Sequence, residues 1–246
     1  MVAIKTYTHV DHHLGSVSFR ISRMEDIYEQ RQGETDDPHR HDYFTVLLVK
    51  EAGGLHLIDF NEYPLAPLQL FFISPGQVHQ VIEKEKSFGY AILFSAQFLL
   101  ENHIPVQLIE DFNLFNDHGH TPPLPLNASE YAVLSSYCEE MIRLKDSDDK
   151  FRGPAIGSWL KLFLIRSNNL CTQEAENTQL QEAGNTSKEY IQSRITVDAK
   201  RLLYFTGLSA KEIGYQLGFS EPANFSAFFK NCTGKSPTEF RHSLQK

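Results

Sequence analysis

The densest run of chemically suggestive residues is Ser209-Ala210-Lys211-Glu212-Ile213-Gly214-Tyr215-Gln216-Leu217-Gly218-Phe219-Ser220-Glu221-Pro222-Ala223-Asn224-Phe225. Ser209 followed three residues later by Glu212 is a capping box, so a helix is expected from Ala210 to Leu217 with Ile213 and Leu217 pointing inward. Gly218 supplies the left-handed residue that ends it, and Phe219 buries the corner. Ser220 is expected to cap a second helix that tolerates Pro222 in its first turn. Phe225, Phe228 and Phe229 anchor that helix, leaving Ala223, Asn224, Ser226 and Ala227 near its N-terminal, solvent-facing side. Those positions on a recognition helix meet base edges. Asn reads adenine with two hydrogen bonds, and Ser or Ala lies against a thymine methyl. Lys211, Lys230, Lys235 and Arg241 are the candidates for phosphate contact, which orients a protein without specifying sequence. The alternative is a helical hairpin whose aromatics are only core.

Other reactive groupings are few. His39 and His41, two apart on a strand, share a face. No nucleophile–base pair with recognisable spacing emerges, so no catalytic residue is named and the chain is expected not to be an enzyme. Cys138, Cys171 and Cys232 are odd in number and widely spaced, which argues against a disulfide framework or a zinc knuckle and for a reducing, cytoplasmic setting.

Charge divides along the chain. The total over 246 residues is −8, which by itself argues against a nucleic-acid partner. Residues 187–246 carry 9 Lys+Arg and 5 Asp+Glu, a balance of +4, while residues 1–186 carry 14 and 26, a balance of −12. A basic module on an acidic body is the implication. No apolar run is long enough to span a bilayer, and Met1-Val2-Ala3-Ile4-Lys5-Thr6 lacks the apolar core of a secretory signal, so no membrane partner is expected.

The elements that must position these groups are of two kinds. Residues 1–125 read as strands: Phe44–Val49, Leu55–Phe60, Leu68–Ile73 and Phe88–Phe94, with Asn61-Glu62-Tyr63-Pro64 as a turn. Several carry bulky residues on both faces, as in a barrel packed inside and covered outside. Residues 126–170 read as two helices. One is capped by Asn127 or Ser129, with Tyr131, Leu134, Cys138, Met141 and Ile142 on one face; the other opens at Pro154 and carries Ile156, Trp159, Leu160, Phe163 and Leu164. So apolar a pair needs covering: it closes the barrel's core, forms a homodimer seam, or does both in part. Residues 171–186 are polar and read as a linker, and residues 187–246 as helical.

The C-terminal motifs resemble the AraC/XylS family of bacterial transcription regulators. The likeness is carried by Ala199-Lys200-Arg201-Leu202-Leu203, Ile213-Gly214-Tyr215-Gln216-Leu217-Gly218-Phe219, Asn224-Phe225-Ser226 and Phe229-Lys230-Asn231-Cys232-Thr233-Gly234-Lys235-Ser236-Pro237-Thr238-Glu239-Phe240-Arg241. It implies sequence-specific binding to double-stranded DNA. Ala227 departs from it, since the family usually has Arg or Lys there. The family's DNA-binding domain also resembles two helix-turn-helix units, and here only an echo of the first unit's closing motif stands, Gly184-Asn185-Thr186-Ser187-Lys188-Glu189-Tyr190. The linker at 171–186 is therefore the expected place of a missing first unit. A cut so close to the motif boundary predicts a segment omitted from the sequence rather than a true deletion, and an intact mass above 28.2 kDa.

His39-Arg40-His41-Asp42-Tyr43-Phe44, Gly53-Gly54 and Pro75-Gly76-Gln77-Val78-His79 resemble the cupin barrel that serves as this family's sensor. The resemblance implies an α+β chain: a cupin-like sensor barrel at 1–125, a helical dimerisation segment at 126–170 and an all-α helix-turn-helix domain at 187–246. It also implies a small-molecule effector in the barrel and a homodimer. His41, Phe44, Phe72, His79 and Phe94 are the pocket candidates. His39, His41 and His79 occupy the positions of a metal-binding cupin's histidines, and three neutral imidazoles can hold a divalent ion. Thr45, Val46 and Leu47 stand where such a cupin places a glutamate, so no metal or other cofactor is expected. The rival reading is a metal-dependent cupin enzyme with an accessory helical domain.

Overall fold

The structure, a computed structural model, describes residues 5–7, 10–11, 15–16, 18–112, 114–115, 122–179 and 187–243. They fall into two compact units, the first within Lys5–Glu182 and the second within Ala183–Lys246.

The first unit opens with β1 (Lys5–Tyr7), β2 (Val10–Asp11), β3 (Gly15–Ser16), β4 (Phe19–Arg23) and helix α1 (Met24–Gln30). Then come β5 (His39–His41), β6 (Phe44–Glu51), β7 (Gly54–Ile58), β8 (Asn61–Leu65), β9 (Gln69–Ile73), β10 (Val78–Glu83) and β11 (Phe88–Phe94). Short helices α2 (Ala96–Glu101) and α3 (Val106–Asp111) and strand β12 (Leu124–Pro125) lead to α4 (Ala128–Lys145) and α5 (Arg152–Gln179). Two five-stranded sheets result, ordered β1-β5-β10-β7-β8 and β12-β9-β6-β11-β4. Every pairing in them is antiparallel except β1 with β5.

Alternation sorts the second sheet into two apolar faces. Leu47, Val49, Phe71, Ile73 and Ala91 pack with Ile58, Tyr63 and Leu65 of the other sheet in one core. Val46, Leu48, Leu70, Phe72, Ile92 and Phe94 form a second core with Leu134, Cys138, Met141, Leu160, Phe163 and Leu164 from α4 and α5. The apolar helix pair thus covers the barrel's outer face. Each large apolar side chain buried there contributes roughly 1.5–3 kcal/mol. Asn127 opens α4 through a capping box with Glu130. Glu139 then ties the helix to the sheet: it accepts from Arg23 at 2.8 Å and from the Tyr90 hydroxyl. Burial and that carboxylate hold the Tyr90 phenol well above its ordinary pKa.

Two expectations change. Asn61-Glu62-Tyr63-Pro64 is not a turn but the body of β8, with Tyr63 and Leu65 buried. It is the outermost strand of its sheet, where a proline's missing N–H is tolerated. The helix α5 continues through residues 171–179, into the segment expected as a linker; Gln, Glu and Asn-containing stretches carry little intrinsic bar to helix. Residues 180–186, with the first three residues of the echoed motif, lie outside the described residues, and Ser187-Lys188-Glu189-Tyr190 open the next helix.

The second unit comprises α6 (Ser187–Phe205), α7 (Ala210–Gln216), α8 (Pro222–Thr233) and α9 (Pro237–Ser243). Ala199, Leu203, Ile213, Phe225 and Phe229 are buried at its centre. Gly214 permits the close crossing of α7 and α8, since a Cβ there would lie 3.0 Å from Phe225 Cβ.

Candidate functional site

In the barrel, the turn before β10 brings both histidine motifs together. Gly76 adopts φ +86° and its N–H donates to the His41 carbonyl at 2.7 Å. The fully buried Gln77 side chain accepts from the Ser74 N–H at 2.7 Å and donates to Asp59 at 3.1 Å. Asp59 also accepts from the Val78 N–H at 3.2 Å. This bracing explains the Pro-Gly-Gln-Val-His sequence: glycine for the left-handed turn, and a side-chain amide to satisfy backbone groups that leave the sheet.

His39, His41 and His79 gather as a result. Their ring centroids lie 4.7 Å (39–41), 4.6 Å (39–79) and 5.0 Å (41–79) apart. His39 Nδ1 contacts the Asp37 carbonyl at 2.7 Å and Asp36 at 3.3 Å. His79 Nδ1 faces Nε2 of fully buried His56 at 3.1 Å. Burial pushes the His41 imidazole down to about 3, with His39 and Arg31 acting in the same direction. His56 falls to about 3, mainly through burial and secondarily through His39. His79 is lowered well below its ordinary value, first by burial and then by His56, His39, His41 and Arg31. These three rings are therefore neutral near pH 7, each with one lone-pair nitrogen.

His39, His41 and His79 line a cavity of about 320 Å³ between the sheets and α1. Apolar Leu47, Val81 and Leu93 share the lining with Arg20, Arg31 and Glu83. Arg31 pairs with Asp36 at 2.8 Å. Of the expected pocket residues, His41 and His79 line the cavity; Phe44, Phe72 and Phe94 do not. Those phenylalanines pack in or against the core under α4 and α5, and all three meet the Phe115 ring edge to face. The physical reason is the two-residue period: odd positions His39, His41, Tyr43, Thr45 and Leu47 face the cavity, so neighbouring Phe44 faces away. Sequence reasoning missed Tyr7, Arg20, Tyr43 and His56. A His56/His79 cross-strand relation was hidden because their strands pair through a register (Ile58 opposite His79, His56 opposite Val81) that no local pattern fixes.

In the helical unit, Ser209 and Glu212 form the expected box: the Ser209 N–H donates to Glu212 at 2.8 Å and the Glu212 N–H donates to the Ser209 hydroxyl at 3.3 Å. The Glu212 carboxylate accepts from the Ser209 N–H and, at 2.7 Å, from the Ser209 hydroxyl, and these two bonds hold it below its ordinary range. Gly218 is left-handed at φ +85°, as the motif requires. Ser220 is not the cap of α8; Glu221 holds that place without a side-chain cap bond, and Pro222 at the first helical position removes one donor that would need it. Ala223, Asn224 and Ala227 are exposed and Ser226 half-buried, while Phe225 and Phe229 are buried on the opposite face. Lys211, Lys230 and Lys235 are exposed. Arg241 is not available in the same way. Its guanidinium donates to the carbonyls of Leu203 (3.0 Å), Thr206 (3.4 Å) and Leu208 (2.7 Å), clamping the end of α6, where carbonyls lack helical partners.

Comparison with known proteins agrees with this division. The family described as AraC-like ligand binding domain matches residues 24–154, and the helix-turn-helix domain family matches residues 175–243. The chain is similar to the HTH-type transcriptional activator RhaR of Enterobacter sp. (strain 638), 20% identical over 85% of this chain and 88% of that protein. It is also similar to the HTH-type transcriptional regulator YfiF of Bacillus subtilis (strain 168), 23% identical over 85% of this chain and 79% of that one. The solved structure of ToxT from Vibrio cholerae aligns over 93% of this chain and all of that one, at 14% identity and TM-score 0.34. No helix among the described residues is long and apolar enough to cross a membrane.

Proposed function

The chain belongs to the AraC family of DNA-binding transcription regulators, and from that premise we propose how its parts share the work. The N-terminal barrel takes a small-molecule effector into the cavity beside His41 and His79. The α8 surface, with Asn224 foremost, reads bases in the major groove, while Lys211, Lys230 and Lys235 meet phosphates. The observation that carries this reading is the exposed face of α8, with Asn224 and Lys230 on it, set on a buried Phe225/Phe229 anchor. A homodimer forms through the outer face of α5, where Leu162 remains 49% exposed on a helix whose opposite face is core. The setting is the bacterial cytoplasm.

An effector acts only by favouring one arrangement of the protein over another. The deciding experiment is a promoter-fragment shift assay with the full chain across a salt series. Retarded complexes whose affinity falls steeply with salt are expected; absent or salt-insensitive binding at low ionic strength overturns the reading.

A further inference from the structure

We propose that His39, His41 and His79 bind one divalent transition-metal ion of the zinc class, with its remaining coordination positions open to the barrel cavity. Among the described residues these are the one group of potential ligands whose donor atoms converge, all within 4.8 Å of one another, and all three residues are buried. A tetrahedral ion with nitrogens at about 2.0–2.1 Å holds them about 3.4 Å apart, so modest ring rotations close the site.

The polar accounting points to a ligand. His41 Nδ1 and His79 Nε2 are buried with no hydrogen-bond partner, a costly condition that folded proteins rarely leave unrelieved. Contacts among the rings satisfy their faces and edges and leave those nitrogens bare. The outer contacts are those a metal site needs. His39 Nδ1 is held by the Asp37 carbonyl, which assigns the ligand role to Nε2; His79 Nδ1 is held by His56, which aims its Nε2 at the cluster. Metal-bound imidazoles are fixed through their second nitrogen in this way, and His56 is accordingly a positioning residue.

Three nitrogen donors without a carboxylate favour zinc, cobalt, nickel or copper over magnesium or calcium. Three protein ligands leave a position for water or for an oxygen donor of whatever occupies the cavity.

The test uses the full chain, stripped by chelator and titrated with Co²⁺ as the probe. One equivalent per chain is expected, with visible bands that Zn²⁺ abolishes by displacement. His39→Gln and His79→Gln should each weaken binding by about 100-fold, and His56→Leu by about 10-fold at unchanged stoichiometry. X-ray absorption on the wild-type zinc form removes dependence on variants that fold poorly: imidazole scattering is expected. Sulfur ligation, no uptake at micromolar metal, or binding unchanged in a folded His79→Gln variant would each overturn the proposal. Metal uptake is read without DNA, so its failure leaves the regulator reading standing.

Discussion

Arg241 and Lys230 are both basic side chains of the helical unit, yet their surroundings give them different work. Arg241 spends its donors on three carbonyls in the last turn of α6 and the segment just after it, whereas Lys230 is exposed in the last turn of α8. Hydrogen bonds from a charged donor contribute about 1.5–3 kcal/mol each, though bonds sharing one side chain are not additive. Arg241→Ala is therefore expected to lower the melting temperature of the chain by several degrees. Lys230→Ala should leave melting unchanged and reduce the slope of log affinity against log salt by about 0.9. Thermal melts and salt titrations on both variants check this together; equal melting temperatures would show that the clamp is idle. Asn224→Ala belongs to a third class. It should cost roughly 1–3 kcal/mol on the preferred DNA site and much less on random DNA, measured by competition binding.

At the scale of elements, turns place side chains that strands only carry. Gly76 holds φ +86° with open space around a would-be Cβ, so Gly76→Ala introduces conformational strain of about 1–2 kcal/mol and no clash. The strain falls on the turn that sets His79 beside His41, so calorimetric melting should drop modestly. A melting curve identical to wild type would contradict that account. The helix pair shows the same dependence on context. Its inner face was legible as apolar, and the structure gives that face to the barrel. The outer face of α5, where Leu162 stays 49% exposed, is the face proposed for a second copy. Leu162→Lys is expected to shift the chain from dimer to monomer in light scattering while preserving its melting temperature; an unchanged mass would remove this face as the dimer contact.

For the whole molecule, the buried imidazoles couple folding to pH. Unfolded histidines titrate near 6.5, whereas His41 and His56 in the fold titrate near 3 and His79 well below its ordinary value. Between those limits the unfolded chain binds more protons than the folded one, so stability is full above pH 6.5 and falls as pH drops toward 3. The loss is at most about 1.4 kcal/mol per pH unit for each histidine. Chelator-treated protein should melt at distinctly lower temperature at pH 5.5 than at pH 7.5, and equal melting temperatures would show that these rings are not held neutral by the fold.

The sequence by itself determined the helix-turn-helix, because its signals are local: a serine and a glutamate three residues apart, a left-handed glycine, and aromatics at helical spacing act within a few residues of chain. It also determined the β-rich character of the first half and the opposed charges of body and tail. It did not determine the lining of the cavity. Alternation says that Phe44 and Tyr43 face opposite ways, but not which way is in, and both faces of β6 are buried. That choice was made by the helices covering one face and the second sheet covering the other. The same holds for His56, which reaches His79 across a strand register, and for Arg241, whose carbonyl partners lie more than thirty residues away. Contacts between distant segments depend on how whole elements stack, and only the tertiary structure fixes that.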